Sequence, residues 1–358
     1  MQKIGSVTDD QLTALSETIA RRVLVSPENV MPFADLDDLL PNLLAECTSG
    51  PSRLLSVGHL SPDVAIASDR QNLTVSELFG ASPFSGSIDG VLKEATTGTE
   101  LIYVANPNRV TGADLGLADI ELLAKAVPSG WLIVDEYYFD YFGITGITLL
   151  QRYSNICVLR SFTAAFGVES ADSGFVVASA ALIRKLYARM LPQSLSMTVY
   201  RTALACLDND FALSQRLKTL HDEALRTSTE LTRLGLQNRI TAADFLLLRV
   251  KDPSSVGNFL ARFKAPVENL DGYPQLKNYL RYRIQSPFSN DRLIDAFNRM
   301  PPAYYQTLTI DQRVITLRRP AEQTAERQSI VIPRKVEKPA LVTRKAPKVS
   351  TRKSRVRP

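Results

Sequence analysis

The chain has 358 residues, 45% of them hydrophobic and 22% charged, with a formal net charge of +5. That length suits two domains of ~100–200 residues each. No apolar run reaches the ~18 residues of a membrane span, and residues 1–5 open onto polar sequence without a signal-peptide core, so a cytoplasmic location is expected. Cys47, Cys157 and Cys206 lie far apart in apolar surroundings, which favours buried free thiols over disulfides or a metal site. His59 and His221 are too isolated to build a metal centre.

Thr8-Asp9-Asp10 supplies capping side chains, and Leu12, Leu15, Ile19 and Val23 recur at helical spacing, which predicts a helix over 8–24. A second helix is predicted over 36–47, and a short strand over 54–57. Residues 101–105 form a continuous apolar run ending in Asn106-Pro107-Asn108, the pattern of a strand buried on both faces. A helix over 114–127 follows, then strands over 131–134, 156–159 and 174–178. Apolar strands alternating with helices predict a mostly parallel sheet, with ligands at the carboxyl ends of its strands.

Helices are expected over 181–190 and 198–234, with Gly235 as the stop. A smaller α+β unit follows: strand 245–250, helix 254–263, strand 279–284, helix 290–299 and a further strand over 313–317. The expected division is a large α/β domain over 1–235, a small α+β domain over 236–317 and a tail over 318–358. The tail holds thirteen Lys/Arg against three Glu, a net of +10, so the body before it carries −5. Its proline-punctuated sequence has no periodic apolar content and is expected to be disordered. Clusters such as Arg344-Lys345 and Arg352-Lys353-Ser354-Arg355 suit either a solubilising extension or a tether to an anionic partner: nucleic acid, a membrane surface or an acidic protein. Without interleaved aromatics, base stacking is not supported.

Five segments carry a family likeness, in order and at natural spacing. They are residues 25–30, the turn Asn106-Pro107-Asn108-Arg109-Val110-Thr111-Gly112, the strand end Val134-Asp135-Glu136-Tyr137-Tyr138, the turn 160–167, and Tyr279-Leu280-Arg281 followed by Pro287 and Asn290-Asp291-Arg292-Leu293. Together they resemble the fold-type I pyridoxal-phosphate (PLP) aminotransferases of class I/II, nearest the histidinol-phosphate aminotransferase and threonine-phosphate decarboxylase branch. The resemblance spans about residues 12–300. It implies an α/β PLP-transferase (aspartate aminotransferase-like) fold, with a mostly parallel sheet in the large domain and a small C-terminal α+β domain. It also implies roles. Asp135 pairs with the protonated pyridine nitrogen, Tyr138 donates to the ring's phenolic oxygen, and Arg281 clamps the substrate carboxylate as a planar bidentate donor. Asn108, Arg109 and Thr163 fall at cofactor-facing positions of the matching turns.

The departures from the family pattern concern the same chemistry. Ala164 stands where the family has the lysine that holds the cofactor as a Schiff base. Arg109 replaces an asparagine, Asp172 replaces a phosphate-binding arginine, and Asp35-Leu36 replaces the Gly-Ser of the phosphate cup. Helix N-termini favour anions; an aspartate placed ~4 Å from a phosphate costs ~4 kcal/mol at an effective dielectric of about 20. Gly58-His59-Leu60-Ser61 lacks the aromatic expected over the ring, and the resemblance, which begins near residue 12, implies that the family's N-terminal arm is absent. Lys125 and Lys185 read as solvated helix faces. The expectation is therefore a pseudoenzyme with no catalytic residue and no cofactor. Asn108, Arg109, Asp135, Tyr138 and Thr163 would be vestigial cofactor positions, and Arg281 a vestigial substrate position. Such a protein would bind or scaffold, as a homodimer or hetero-oligomer through the aminotransferase dimer face. Arg109 and Asp172 are expected to pair in the old cleft. The alternative is a divergent enzyme that binds PLP non-covalently, or a small carboxylate through Arg281.

Overall fold

Two antiparallel pairings turn an otherwise parallel sheet into a mixed one. The computed structural model describes residues 7–48, 52–95, 101–162, 164–166, 172–190 and 195–305. Thr163, Gly167, the strand expected over 313–317 and the basic tail lie outside them. The larger sheet contains β1 (Val30–Phe33), β2 (Arg53–Val57), β3 (Thr74–Leu78), β4 (Leu101–Ala105), β5 (Trp131–Asp135), β6 (Ile156–Ser161) and β7 (Gly174–Val177). Its order is β1-β7-β6-β5-β4-β2-β3. Strands β3, β2, β4, β5 and β6 run parallel, whereas β7 is antiparallel to β6 and β1 antiparallel to β7.

Helices cover both faces. On one lie α1 (Asp9–Val23), α4 (Ile88–Glu94) and α5 (Leu117–Ala126); on the other lie α2 (Leu36–Cys47), α3 (Pro62–Arg70) and α7 (Ala180–Arg189). The period-two alternation of β4 divides its side chains between them. Ile102 and Val104 pack with Leu15, Ile19 and Ile120, while Leu101, Tyr103 and Ala105 pack with Leu39, Leu43 and Leu182. This two-sided burial is what makes the strand read as an unbroken apolar run. Helix α1 starts on a capping box, with Thr8 Oγ1 accepting from Gln11 N at 3.2 Å and Gln11 Oε1 accepting from Thr8 N at 2.9 Å.

The helix α6 (Phe139–Phe142) follows β5, and α8 (Met197–Asp208) and α9 (Asp210–Arg233) lead to the second sheet. The single helix expected over 198–234 is thus two. Asn209 leaves the helical region at φ −117° and ψ 57°, and its side chain accepts from Ala212 N, capping α9 instead of extending α8. The second sheet contains β8 (Asn238–Ile240), β9 (Phe245–Arg249), β10 (Glu268–Asn269) and β11 (Tyr279–Arg283), ordered β10-β11-β9-β8 and antiparallel throughout. Helices α10 (Pro253–Arg262) and α11 (Pro287–Arg299) pack on it through Val256, Leu260, Leu293 and Phe297. Both sheets belong to one compact unit, Met1–Leu317. The three cysteines are buried and free, and burial pushes the Cys47 and Cys157 thiols well up.

Two glycines respond oppositely to a methyl group. At Gly174, where β7 crosses β6, a Cβ would collide with the Arg160 carbonyl and sit 2.7 Å from the Phe33 ring. At Gly257, inside α10, the nearest contact is the Val267 side chain at 3.6 Å. Gly257→Ala is expected to stabilise the protein by about 1 kcal/mol through helix propensity. Gly174→Ala is expected to lower the urea midpoint sharply, because backbone has to move. Chemical denaturation of the two variants beside the parent checks both signs.

Candidate functional site

The carboxyl ends of β2, β4, β5 and β6 bring Gly58, Asn106, Asp135 and Ser161 to one edge of the larger sheet. Parallel register places Ala105 beside Asp135. Asp135 is buried at 2% exposure. Its Oδ2 accepts from the Tyr103 hydroxyl at 2.6 Å, and its Oδ1 accepts from Tyr137 N at 3.0 Å. Arg109 Nη1 lies 3.7 Å from the same Oδ2 and pairs closely with Asp63 in the first turn of α3. The guanidinium also stacks 4.4 Å from the Tyr137 ring centroid.

Charge balance explains this arrangement. Burial pushes the Asp135 carboxyl up, and Arg109 and the Tyr103 hydroxyl pull it back. Burial alone would lower Arg109, but Asp135 and Asp63 outweigh it and hold the guanidinium above its ordinary range. Burial also pushes the Tyr103 hydroxyl well up, with the Asp135 charge adding to the effect, so that tyrosine stays a donor. The expected Arg109–Asp172 pair does not form. Asp172 instead accepts from the Tyr137 hydroxyl at 3.1 Å, and Arg109 meets the face of that ring.

The turn carrying Arg109 is fixed by Asn108. Its Oδ1 accepts from Val110 N and Thr111 N, both at 3.0 Å, and its Nδ2 donates to His59 O at 2.9 Å. Its Oδ1 also accepts from the Thr111 hydroxyl at 3.2 Å, so the Asn108 side chain is spent on building the turn. Gly112, at φ +61°, ends the turn; a Cβ there would collide with Thr241, and its carbonyl accepts from Ala242 N at 3.1 Å, joining the turn to the second sheet. Arg281 joins it again. Its Nη1 donates to Arg109 O at 2.7 Å, its Nη2 pairs with Glu268, and it lies 5.0 Å from the Phe245 ring centroid. Tyr138 packs edge-on against Tyr137, Tyr141 and Phe245 in the apolar seam between the sheets.

At the other lip, Asp35 caps α2, its Oδ1 accepting from Asp37 N at 2.9 Å. Desolvation raises the Asp37 carboxyl, and Asp35, Asp63 and Asp172 raise it further, so four acids share this mouth. Ala164 is buried. Its amide donates to Ser161 Oγ at 3.0 Å, and its carbonyl accepts from the Tyr141 hydroxyl at 3.2 Å. Lys125 pairs with Glu121 on the exposed face of α5, and Lys185 is exposed on α7. Burial lowers His59, whose Nε2 meets Pro83 O at 3.1 Å. No metal-binding cluster occurs among the described residues.

Sequence reasoning missed Asp63, Tyr103 and Glu268. Tyr103 left a signal, since a tyrosine inside a fully buried apolar strand needs a partner for its hydroxyl. Asp63 and Glu268 left none, because their partners are 46 residues away for Asp63 and on a different strand for Glu268.

A sequence model described as aminotransferase class I and II matches residues 85–276, more than half the chain. The chain belongs to that family. Histidinol-phosphate aminotransferase of Caldanaerobacter subterraneus is 25% identical over 301 residues, covering 82% of this chain and 83% of that protein. The histidinol-phosphate aminotransferase of Clostridium acetobutylicum superposes with a TM-score of 0.74 at 14% identity, over 82% of this chain and 90% of that one. That of Sinorhizobium meliloti, in complex with pyridoxal-5'-phosphate, superposes with a TM-score of 0.73 at 18% identity, over 81% of each chain. These likenesses establish the aspartate aminotransferase-like α/β fold. The Sinorhizobium complex also corrects the expectation that the cleft takes no cofactor: a protein of this fold holds PLP, so PLP is a candidate ligand here. The residues present do not fit covalent attachment at position 164, where the side chain is a methyl group.

Removing the guanidinium tests the charge balance. Arg109→Ala leaves Asp135 and Asp63 facing each other, at an expected cost of about 3–5 kcal/mol near neutral pH. Asp135, already raised by burial, then rises further. A carboxyl raised in the native state loses stability as pH climbs from its unfolded value of about 3.9. The deficit should therefore be smallest near pH 4 and grow toward pH 7, read as urea midpoints at both. A deficit independent of pH would sink the assignment.

Proposed function

We propose that this chain is an aminotransferase-family protein that acts by binding and does not carry out transamination through residue 164. The observation that supports the reading is the pairing of Ala164 with the Arg109–Asp135–Asp63 network. The first removes the amine that a Schiff base requires. The second gives the ring-facing carboxylate a cation from the chain itself. PLP that enters this cleft would be held without a covalent bond and would compete with Arg109 for Asp135. A small carboxylate clamped by Arg281 is the weaker reading, since that guanidinium is engaged by Glu268 and the Arg109 carbonyl.

The rest of the proposal concerns assembly. We assign the large and small domains to 1–235 and 236–317, a dimer through the family's dimer face, and a cytoplasmic location. No helix among the described residues is long and apolar enough to cross a membrane. The +10 tail is assigned to an electrostatic tether on a polyanion.

Two measurements test these points. Protein incubated with PLP and reduced with borohydride should yield no pyridoxyl-lysine peptide, and should not transfer the amino group of histidinol phosphate to a 2-oxo acid. Turnover, or a labelled peptide containing Lys125 or Lys185, would overturn the reading. For the tail, heparin affinity of the full chain should fall at least about ten-fold between ~50 and ~200 mM salt. A chain ending at Leu317 that binds equally well would remove the tether.

A further inference from the structure

A second recess lies outside the Arg109 cleft, walled by α1, α6, β6, β7, α8 and α9, with a cavity volume of about 80 Å³. Its charged lining is Arg22, Glu136, Asp140 and Arg160, and aromatic rings of Phe162 and Phe175 face it. Both arginines already have partners. Arg160 Nε donates to Glu136 Oε2 at 2.8 Å, and its guanidinium sits 3.4 Å from the Phe139 ring centroid. Glu136 is completed by Gly146 N at 2.6 Å. Arg22 donates to Leu207 O at 2.8 Å and pairs with Asp210.

Asp140 is different. It is half-buried in the recess wall, yet among the described residues it makes no hydrogen bond or ion pair. The lining carries two guanidiniums and two carboxylates, but Arg160 is taken by Glu136 and Arg22 by Asp210 outside the recess, which leaves Asp140 without a paired cation. Burial pushes the Asp140 carboxyl up, and the charges of Arg160 and Arg22 oppose that rise without forming an ion pair with it. Its field adds to burial in pushing the neighbouring Cys206 thiol up to about 11. An unpaired carboxylate in a confined, partly apolar space is costly, and a cation is what offsets it. Phe162 and Phe175 in the same wall supply an apolar surface for an alkyl body.

We propose that this recess binds a small organic cation, a primary ammonium on a short alkyl body, with Asp140 as its counter-ion. Size limits the occupant. The cavity has roughly half the ~150 Å³ that accommodates benzene, which admits about three to five heavy atoms. Nucleotides and other ligands of more than about five heavy atoms are excluded by volume.

Propylammonium is the probe, with propanol as the neutral isostere and potassium as the bare cation. Titration of the full chain by calorimetry, with melting temperature as the second readout, should show saturable binding of propylammonium. Propanol and potassium should each bind at least ten-fold more weakly. Asp140→Asn should lose at least ten-fold in propylammonium affinity while melting no lower than the parent, because it removes an unpaired charge. Comparable binding by propanol would show that charge is irrelevant, and comparable binding by potassium that the alkyl body is. Either result, undiminished binding by Asp140→Asn, or no saturable binding by the parent overturns the proposal. Should the variant fail to fold, the three probes on the unmodified protein decide the matter.

Discussion

The cleft is organised by a single requirement: a carboxylate buried at the end of β5 needs a cation. Asp135 is too enclosed for water to solvate its charge, and the Tyr103 hydroxyl and Tyr137 amide supply only neutral donors. Arg109 provides the missing charge, and Asp63 balances the guanidinium in turn. In the reading proposed above, a ring cation placed against Asp135 would compete with the Arg109 guanidinium. Withdrawal of Arg109 would leave both Asp135 and Asp63 without their cation. The affinity of the cleft for any such ligand is its intrinsic affinity less the free energy of breaking that pair.

The same arginine connects the two sheets. Its side chain reaches into the edge of the larger sheet, while its carbonyl accepts from Arg281 in β11. Arg281 is held by Glu268 on the adjacent strand β10, and Gly112, three residues beyond Arg109, bonds to Ala242. Tyr138, Tyr141 and Phe245 fill the apolar seam beside it. Displacing the Arg109 turn would thus disturb the contact between the sheets as well as the charge balance. The cleft and the second sheet thus share one loop, joined to both by hydrogen bonds.

Much of this was legible in the sequence where a local pattern carried it. The strands buried on both faces appear as apolar runs at 101–105, 131–134 and 156–159, and the helix caps at Thr8 and Gly235 lie where their residue types predict. Other elements were hidden for physical reasons. Strand β3 is an edge strand whose side chains are mostly solvent-facing, so Thr74–Leu78 shows no apolar run. Strand β1 contains Pro32, which an edge position tolerates. In the site, Asp135, Arg109 and Ala164 could be singled out because each stands in a recognisable strand end or turn. Their partners could not, since Arg109 choosing Asp63 over Asp172 depends on how α3 and the segment after β6 are positioned in space.

At position 164 the fold does not depend on the side chain. The turn there is held by its backbone: Ser161 Oγ receives the Ala164 amide, Tyr141 donates to the Ala164 carbonyl, and Arg216 in α9 donates to the Ala165 carbonyl at 2.8 Å. None of these bonds involves the side chain at 164, so β6 and α9 draw no support from it. The methyl is buried without a polar atom to satisfy, whereas a lysine there would need a partner for its ammonium. Fold and chemistry are therefore separable at this residue. The backbone contacts preserve the family's architecture, and the side chain alone determines whether a covalent bond to a carbonyl ligand can form.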